Sequence, residues 1–393
     1  MPRPRGCRLA ALGLLISWAA LVASCGAGTN DPHDPNPGSS PGPTIPGPPS
    51  QPSSVEGYGA SATGGAGGSV CTVTTSAESG PGSLESCLDR GGNLTVQFAV
   101  SSTTLASTTY LSSNLTIDGC ANGQNGVTIL QPADRHRALV IEGPATNFVL
   151  RCVRFQGTGK VAPNQLVEFD LLGLDGTEGP ISRVLVDRCT FVGASDGATD
   201  MVGDVTDVTV QRSLYYDSAL TMLVKYGTRQ RISIHHNVFT RGTERNPQIH
   251  GDARAVVFVS NVVHDSIPRR DPEGGGTYSP YGSRFHSSAD RGEGVGDVKV
   301  IARANAWLGE NSQPEIRIDP GRSAAGIFLA DNLCSPGICP GSPATAPVFT
   351  VPIAYDVTLT PVEQLKAMVA TVGAPTRTSL DQARLDAAAA ALP

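Results

Sequence analysis

The chain has 393 residues, with 29 Lys and Arg against 35 Asp and Glu, a formal net charge of −6 and a pI near 5.7. No stretch is basic enough to track a phosphate backbone, so nucleic acid is excluded as the expected partner.

Residues 1–25 read as an export signal: Arg3, Arg5 and Arg8 form a basic head, and Leu9 to Val22 is an apolar run too short to span a bilayer. The run ends in Leu21-Val-Ala-Ser-Cys25, which resembles a bacterial lipobox whose cysteine becomes the lipidated first residue. The expectation is a secreted protein held at the cell surface of a bacterial membrane by a lipid on Cys25. The alternative is an ordinary cleaved signal with a chance cysteine. Residues 26–54 are Pro, Gly, Ser and Asn with little to bury, an extended tether. The remainder, 55–393, is one large domain for a repeat fold, which grows along an axis instead of splitting.

Four segments in that domain align without a gap at a spacing of 24 residues: Val184 (VLVDRCTF), Val208 (VTVQRSLY), Ile232 (ISIHHNVF) and Val256 (VVFVSNVV). Apolar residues at the first and third positions of each block are the period-2 mark of a strand with one buried face. A repeat of this length suits one coil of a parallel β-helix, with neighbouring coils about 4.8 Å apart. Looser copies at Phe148, Val298 and Ile327, and a start at Leu115 to Ile117 with Val127 to Leu130, place the core coils at about 93–334. Asn237 and Asn261, with Asn305 and Asn332 in the same place, predict a ladder of stacked amides. His235 and His236 are adjacent on a predicted strand, so they are expected on opposite faces in structural roles. The repeat breaks from His264 to Asp297, either a solvated loop or one whose Arg269, Arg270, Tyr278 and Tyr281 grip a sugar polymer. Thr360 to Leu392 has helix-like spacing and is expected to cap or wrap the upper end, within a capping segment of about 345–393.

Once Cys7 and Cys25 are set aside, Cys71 with Cys87 and Cys334 with Cys339 are the favoured local disulfides. Cys120, Cys152 and Cys189 are left as an odd set, in which buried thiols and a bridge are equally open.

From about 147 to 263 the texts Asn147-Phe-Val-Leu-Arg-Cys-Val-Arg-Phe155, Asp196-Gly-Ala-Thr-Asp200, Thr221-Met-Leu-Val, His235-His-Asn237 and Arg245-Asn-Pro-Gln248 follow one another in order. In this the chain resembles the pectate and pectin lyase family. The resemblance implies an all-β fold, a right-handed parallel β-helix, in which Gly80-Pro-Gly-Ser-Leu84 opens a short helical N-terminal cap. It also implies β-elimination of polygalacturonate by a calcium-dependent monomer acting on an acidic polysaccharide. Asp170, Asp196 and Asp200 match the family's calcium-binding carboxylates, and Arg245 matches its proton-abstracting arginine. An arginine is a poor base unless its cation is destabilised; otherwise Arg245 is a partner of the carboxylates. Two departures stand out: Leu220 replaces the family's substrate-binding lysine, and His250 its second arginine. Counting residues predicts one column of Asp170, Asp196, Leu220 and Arg245 and a second of Asp200, Lys225 and His250, so Lys225 and His250 become the substrate-binding candidates. The alternative function is a catalytically inactive carbohydrate-binding protein on the same fold.

Overall fold

The computed structural model describes residues 54–132, 137–158, 170–225, 230–251, 253–270, 277–287, 298–317, 326–335, 337–339 and 357–393. The expected signal, the tether through 53 and the stretch 340–356 lie outside the described residues.

The strands of the coils line up on three parallel faces. Face one holds Thr109–Tyr110, Leu139–Glu142, the first part of Leu172–Asp187 and of Gly197–Gln211, then Leu220–Lys225, Gln248–His250, Arg284–His286 and Glu315–Arg317. Face two runs from Ser69–Val73 and Leu94–Phe98 to Val300–Arg303 and Ile327–Ala330. Face three runs from Ser102–Thr104 to Leu333–Cys334. The result is a right-handed parallel β-helix. The register of the four blocks is the one the sequence predicts, Val184 beside Val208, Ile232 and Val256 in turn; the copy placed at Val298 pairs instead from Val300, two residues later, and Ile327 follows it. Pairing of Ser69 with Leu94 opens the stack one coil earlier than residue 93.

Inside, Phe155, Phe191, Tyr215 and Phe239 stack ring on ring at 4.9, 4.7 and 4.9 Å. The asparagine ladder is present: the Nδ2 groups of Asn237, Asn261 and Asn305 donate to the next Oδ1 at 3.0, 3.0 and 3.1 Å. Each Nδ2 also reaches a main-chain carbonyl, so these buried amides are satisfied. Just before each rung the chain turns through a left-handed residue, Arg188, Arg212, His236, Ser260, Ala304 and Asp331, with φ from 49° to 57°. Such residues cost roughly 1–2 kcal/mol each, and the ladder they position offsets that cost. The corner also corrects the expectation for the two histidines. His236 is not extended, so its ring meets that of His235, with the Nδ1 atoms 2.9 Å apart. Their roles are structural: His236 Nε2 meets Thr360 Oγ1 at 2.9 Å and His235 Nε2 meets the Glu56 carbonyl at 3.4 Å. Burial, then the neighbouring histidine, pushes His235 down to about 3.

Helix α1 (Leu84–Leu88) starts at Ser83, whose Oγ accepts from the Ser86 N–H at 3.1 Å. It is tied back by Cys71–Cys87 and buries Leu84 in the core of the first coils. Cys334–Cys339 also forms, and the odd set resolves as Cys120–Cys152 with Cys189 a buried thiol. Of the two expected roles for the C-terminal segment, wrapping and capping, helices α2 (Leu365–Val369) and α3 (Ser379–Ala390) take the first: they lie along the outside of face three. That face turns apolar residues outward, Leu214, Val238 and Val262 among them, and Leu365, Met368, Val369 and Leu385 cover them. Asp381 pins α3. It forms a capping box with Thr378, accepts from Tyr216 Oη at 2.6 Å and pairs with Arg154 Nε at 3.0 Å. Burial alone would raise this carboxyl, but Tyr216, Thr378 and Arg154 outweigh it and hold it below its ordinary range.

Candidate active site

Face one carries two outward rows that run along the helix axis. Pairing in register makes the first Tyr110, Val140, Gly173, Asp200, Leu223, Gln248, Arg284 and Glu315. Two residues along each strand, hence on the same side, lie Glu142, Asp175, Val202 and Lys225, continued by His250, His286 and Arg317. This corrects the predicted columns. Asp200 pairs with Leu223, and Lys225 pairs with Val202. Leu220 pairs with Gly197 and bridges to Glu244, so Asp196 and Arg245 are each displaced by one residue. The coils of face one close with turns of unequal length, which counting at a fixed interval misses.

Asp170 and Asp200 do converge. Asp170 Oδ1 accepts from the Gly197 N–H at 3.1 Å. A Cβ placed on Gly197 would lie 2.3 Å from Asp200 Oδ1 and 2.7 Å from Asp170 Oδ1. Two carboxylate oxygens therefore meet over bare backbone that only glycine leaves open. Asp200 Oδ1 is buried with no hydrogen-bond partner among the described residues, while Oδ2 faces Arg245 Nη1 at 3.6 Å. Asp170 Oδ2 faces Arg137 Nε at 3.4 Å. Burial, with Asp196 adding repulsion against the relief from Arg245, lifts Asp200 to about 7. Burial and the charges of Asp200 and Asp196 lift Asp170 well above its ordinary range. Asp196, just before the Gly197 strand, contributes its field to both. Among the described residues no three acidic, histidine or cysteine groups already close around one point as a metal cage. The assembled element is the Asp170/Asp200 pair. Its orphaned oxygen and glycine cradle fit a hard cation that takes oxygen ligands at flexible geometry and completes its shell from a ligand.

Arg245 sits in a left-handed turn at φ 60°. Burial would lower its pKa, but Asp200, Asp196, Tyr281 and Glu244 outweigh it and raise it. The field that a basic arginine needs is thus reversed here: the carboxylates hold the proton on.

Lys225 and His250 are buried on the second row. The His250 ring lies 3.8 Å from that of His286, and burial, His250, Arg284 and Lys225 push His286 down to about 3. Tyr281 does not reach out for sugar. Its hydroxyl donates to Gln248 Oε1 at 2.7 Å, and its ring carries the Arg284 guanidinium 3.5 Å above it. Arg284 in turn bonds Glu315 Oε2 at 2.7 Å, and Arg317 takes Glu315 Oε1 at 2.5 Å. Arg137, Gln248, Arg284, Glu315 and Arg317 are site residues that sequence reasoning missed. A signal for three of the strands was there: Gln248-Ile-His250, Arg284-Phe-His286 and Glu315-Ile-Arg317 share one polar, apolar, polar pattern. Arg269–Arg270 and Thr277–Tyr278 form a short antiparallel hairpin whose side chains lie outside the described residues.

No family model matches the chain, and no curated protein matches it in sequence. Solved structures do match. Jun a 1, the major allergen of cedar pollen, superposes with a TM-score of 0.58 at 14% identity, over 81% of this chain and 92% of its own. A pectate lyase from Acidovorax avenae subsp. citrulli gives 0.55 at 13% identity, over 82% and 94%. A pectate lyase bound to a hexasaccharide gives 0.51 at 15% identity, over 82% and 97%. The fold is the pectate lyase β-helix. At such identities the fold is what the proteins share. On this fold the crowded carboxylates among the described residues lie on face one, around Gly197.

Proposed function

We propose that the chain is a calcium-dependent lyase that cleaves a uronate-containing polysaccharide, pectate or polygalacturonate, by β-elimination on face one. The carrying observation is the convergence of Asp170 Oδ1 and Asp200 Oδ1 over Gly197 beside Arg245. Calcium would be held by Asp170 and Asp200 with Asp196 at hand; when bound, it supplies positive charge to the uronate carboxylate and stabilises the charge that develops beside it. The chain's own groups do the rest. Arg245 stands one side chain from that pair. Once the carboxylates that raise its pKa are neutralised, the burial that lowers it is left, which is the direction a proton-abstracting role requires. Arg284, mounted on Tyr281, holds its position beside Gln248 to orient the polymer. Lys225 sits two residues past the Asp200 partner on the neighbouring strand and supplies positive charge where Leu220 cannot.

Three disulfides among the described residues suit an oxidising compartment, in keeping with a secreted enzyme. No helix of the described residues is long and apolar enough to cross a membrane. We further propose a bacterial surface lipoprotein, anchored through Cys25, working as a monomer on an acidic polysaccharide. The second reading, an inactive carbohydrate-binding protein, is favoured by the raised pKa of Arg245 and by Leu220 and His250.

The deciding experiment follows the ultraviolet absorbance of unsaturated uronate with polygalacturonate or methyl-esterified pectin, with calcium or chelator. A calcium-dependent rise that Arg245→Ala removes supports the lyase. Calcium and polymer binding without any rise would replace it by the binding protein.

A further inference from the structure

The first outward row of face one extends well beyond the Asp170/Asp200 pair. From Asp200 the register steps through Gly173 and Val140 to Tyr110, three coils toward the N-terminus. In the other direction it steps through Leu223 and Gln248 to Arg284, three coils toward the C-terminus. At the coil spacing each end lies about 14 Å from Asp200, a distance that a short oligosaccharide spans and a monosaccharide does not.

The two ends differ in chemistry. Tyr110 is 62% exposed, the most exposed of the large apolar side chains among the described residues, and no ring contact accounts for it. Its exposure on a strand of this face, in line with the carboxylate pair, leaves the flat ring open to a ligand that lies along the row. The charged groups on the row beside it are acidic. Glu142 is exposed two residues beyond Val140, and Asp175 stands next to it in register. Arg137, the cation at this end among the described residues, is shared between Asp170 at 3.4 Å and Asp175 at 3.9 Å. An ionised uronate at this end would meet carboxylates. An uncharged pyranose would meet an open aromatic face, and sugar rings present apolar C–H faces that stack on such a surface. At the opposite end Arg284 and Arg317 both bond the carboxylate of Glu315, with Glu244 facing the two guanidinium groups from the neighbouring coil, and the Arg317 side chain is 55% exposed, so its guanidinium is open to a further anion. That end suits an ionised carboxylate, which a guanidinium binds in a planar fork.

We propose that face one is a bipolar track for a partly esterified uronate polymer: Tyr110 stacks on an uncharged ring three coils before Asp200, and Arg317 with Arg284 takes an ionised uronate three coils after it. This rests on the polysaccharide reading above and goes beyond it by assigning a direction and an esterification pattern to the substrate.

The test is affinity electrophoresis of the whole chain in gels containing highly methyl-esterified pectin or fully de-esterified polygalacturonate, with calcium present. It reads binding whether or not the chain is an enzyme. Tyr110→Ala is expected to weaken retention by esterified pectin about threefold to tenfold and retention by polygalacturonate much less. Tyr110→Phe should keep wild-type retention, and Arg317→Ala should show the reverse preference. Unchanged retention of Tyr110→Ala on pectin overturns the proposal, as does an equal loss on both polymers, or a wild-type chain retained by neither. The elimination assay separates the failures: unsaturated product from a wild-type chain with an indifferent Tyr110 sinks the track and leaves the lyase standing.

Discussion

Faces one and three are made by the same coils and differ in how their polar and apolar groups are left. On face three the steps are even, Thr190 to Leu214 to Val238 to Val262, the outward residues are apolar, and two helices cover them. The buried charges described there, Asp381 and Arg154, are paired with each other, and Asp381 also has a phenol and two backbone or hydroxyl donors from Thr378. On face one the steps are uneven, two carboxylates are pressed together, and one of their oxygens has no hydrogen-bond partner among the described residues. The contrast separates scaffold from site. A fully paired buried charge suits a scaffold, whereas two carboxylates crowded together with one oxygen left unpartnered are tolerated where a ligand is meant to resolve them.

Substitutions at the two faces should therefore fail in opposite ways. The largest effect is expected from Asp200→Asn. Elimination turnover should fall about a thousandfold, while thermal unfolding at neutral pH without calcium shows no loss of stability and a modest gain. If fold and turnover collapse together, Asp200 belongs to the scaffold and the contrast is broken. Asp381→Ala should do the converse. It strands buried Arg154 and should cost about 3–5 kcal/mol in urea unfolding, with turnover per folded molecule unchanged. Asn261→Ala, in the middle of the ladder, should cost about 2 kcal/mol, more than Asn332→Ala at its outer end; equal losses would deny the ladder its stacking.

The smallest effect is a pH trend. Asp200 holds its proton up to about 7 in the folded chain against 3.8 ordinarily. The native state then carries the extra proton, and stability falls as pH rises from about 4 to about 7. His235, ordinarily 6.5 and about 3 when folded, works the other way and removes stability as pH drops through that window. The stability difference between Asp200→Asn and wild type isolates the first trend: without calcium it should widen from about pH 4 to pH 7 and close when calcium is added.

The same contrast explains what could be read in the sequence. Faces two and three were legible because their strands alternate and recur at an even 24 residues, and the asparagine ladder followed from that count. Face one was not, because Val140, Gly173 and Leu223 point outward and blur the alternation, and its turns vary in length. Asp170 and Asp200 came from the family resemblance. The counted register misplaced Lys225 by two positions against Asp200 because a single interval was carried across a face that does not keep one. The strand Arg284–His286 lies inside the interruption of the repeat and Glu315–Arg317 beyond it, so neither carries the 24-residue mark. The outward apolar residues of face three looked like ordinary strand positions; that helices α2 and α3 would cover them, instead of closing the end, depends on a contact between segments far apart in the chain.

The disulfides have a mechanical consequence. In a stack where each coil touches only its neighbours, the outermost coils are held from one side and are the first to fray. Cys71–Cys87 and Cys120–Cys152 fasten the first coils, and Cys334–Cys339 fastens the last. The coils from Asp170 to Arg317, which carry the site, hold no crosslink among the described residues and rely on ladders and ring stacks. A reductant should therefore unravel the molecule from its tips inward, and the middle of the rod should be the last part to let go.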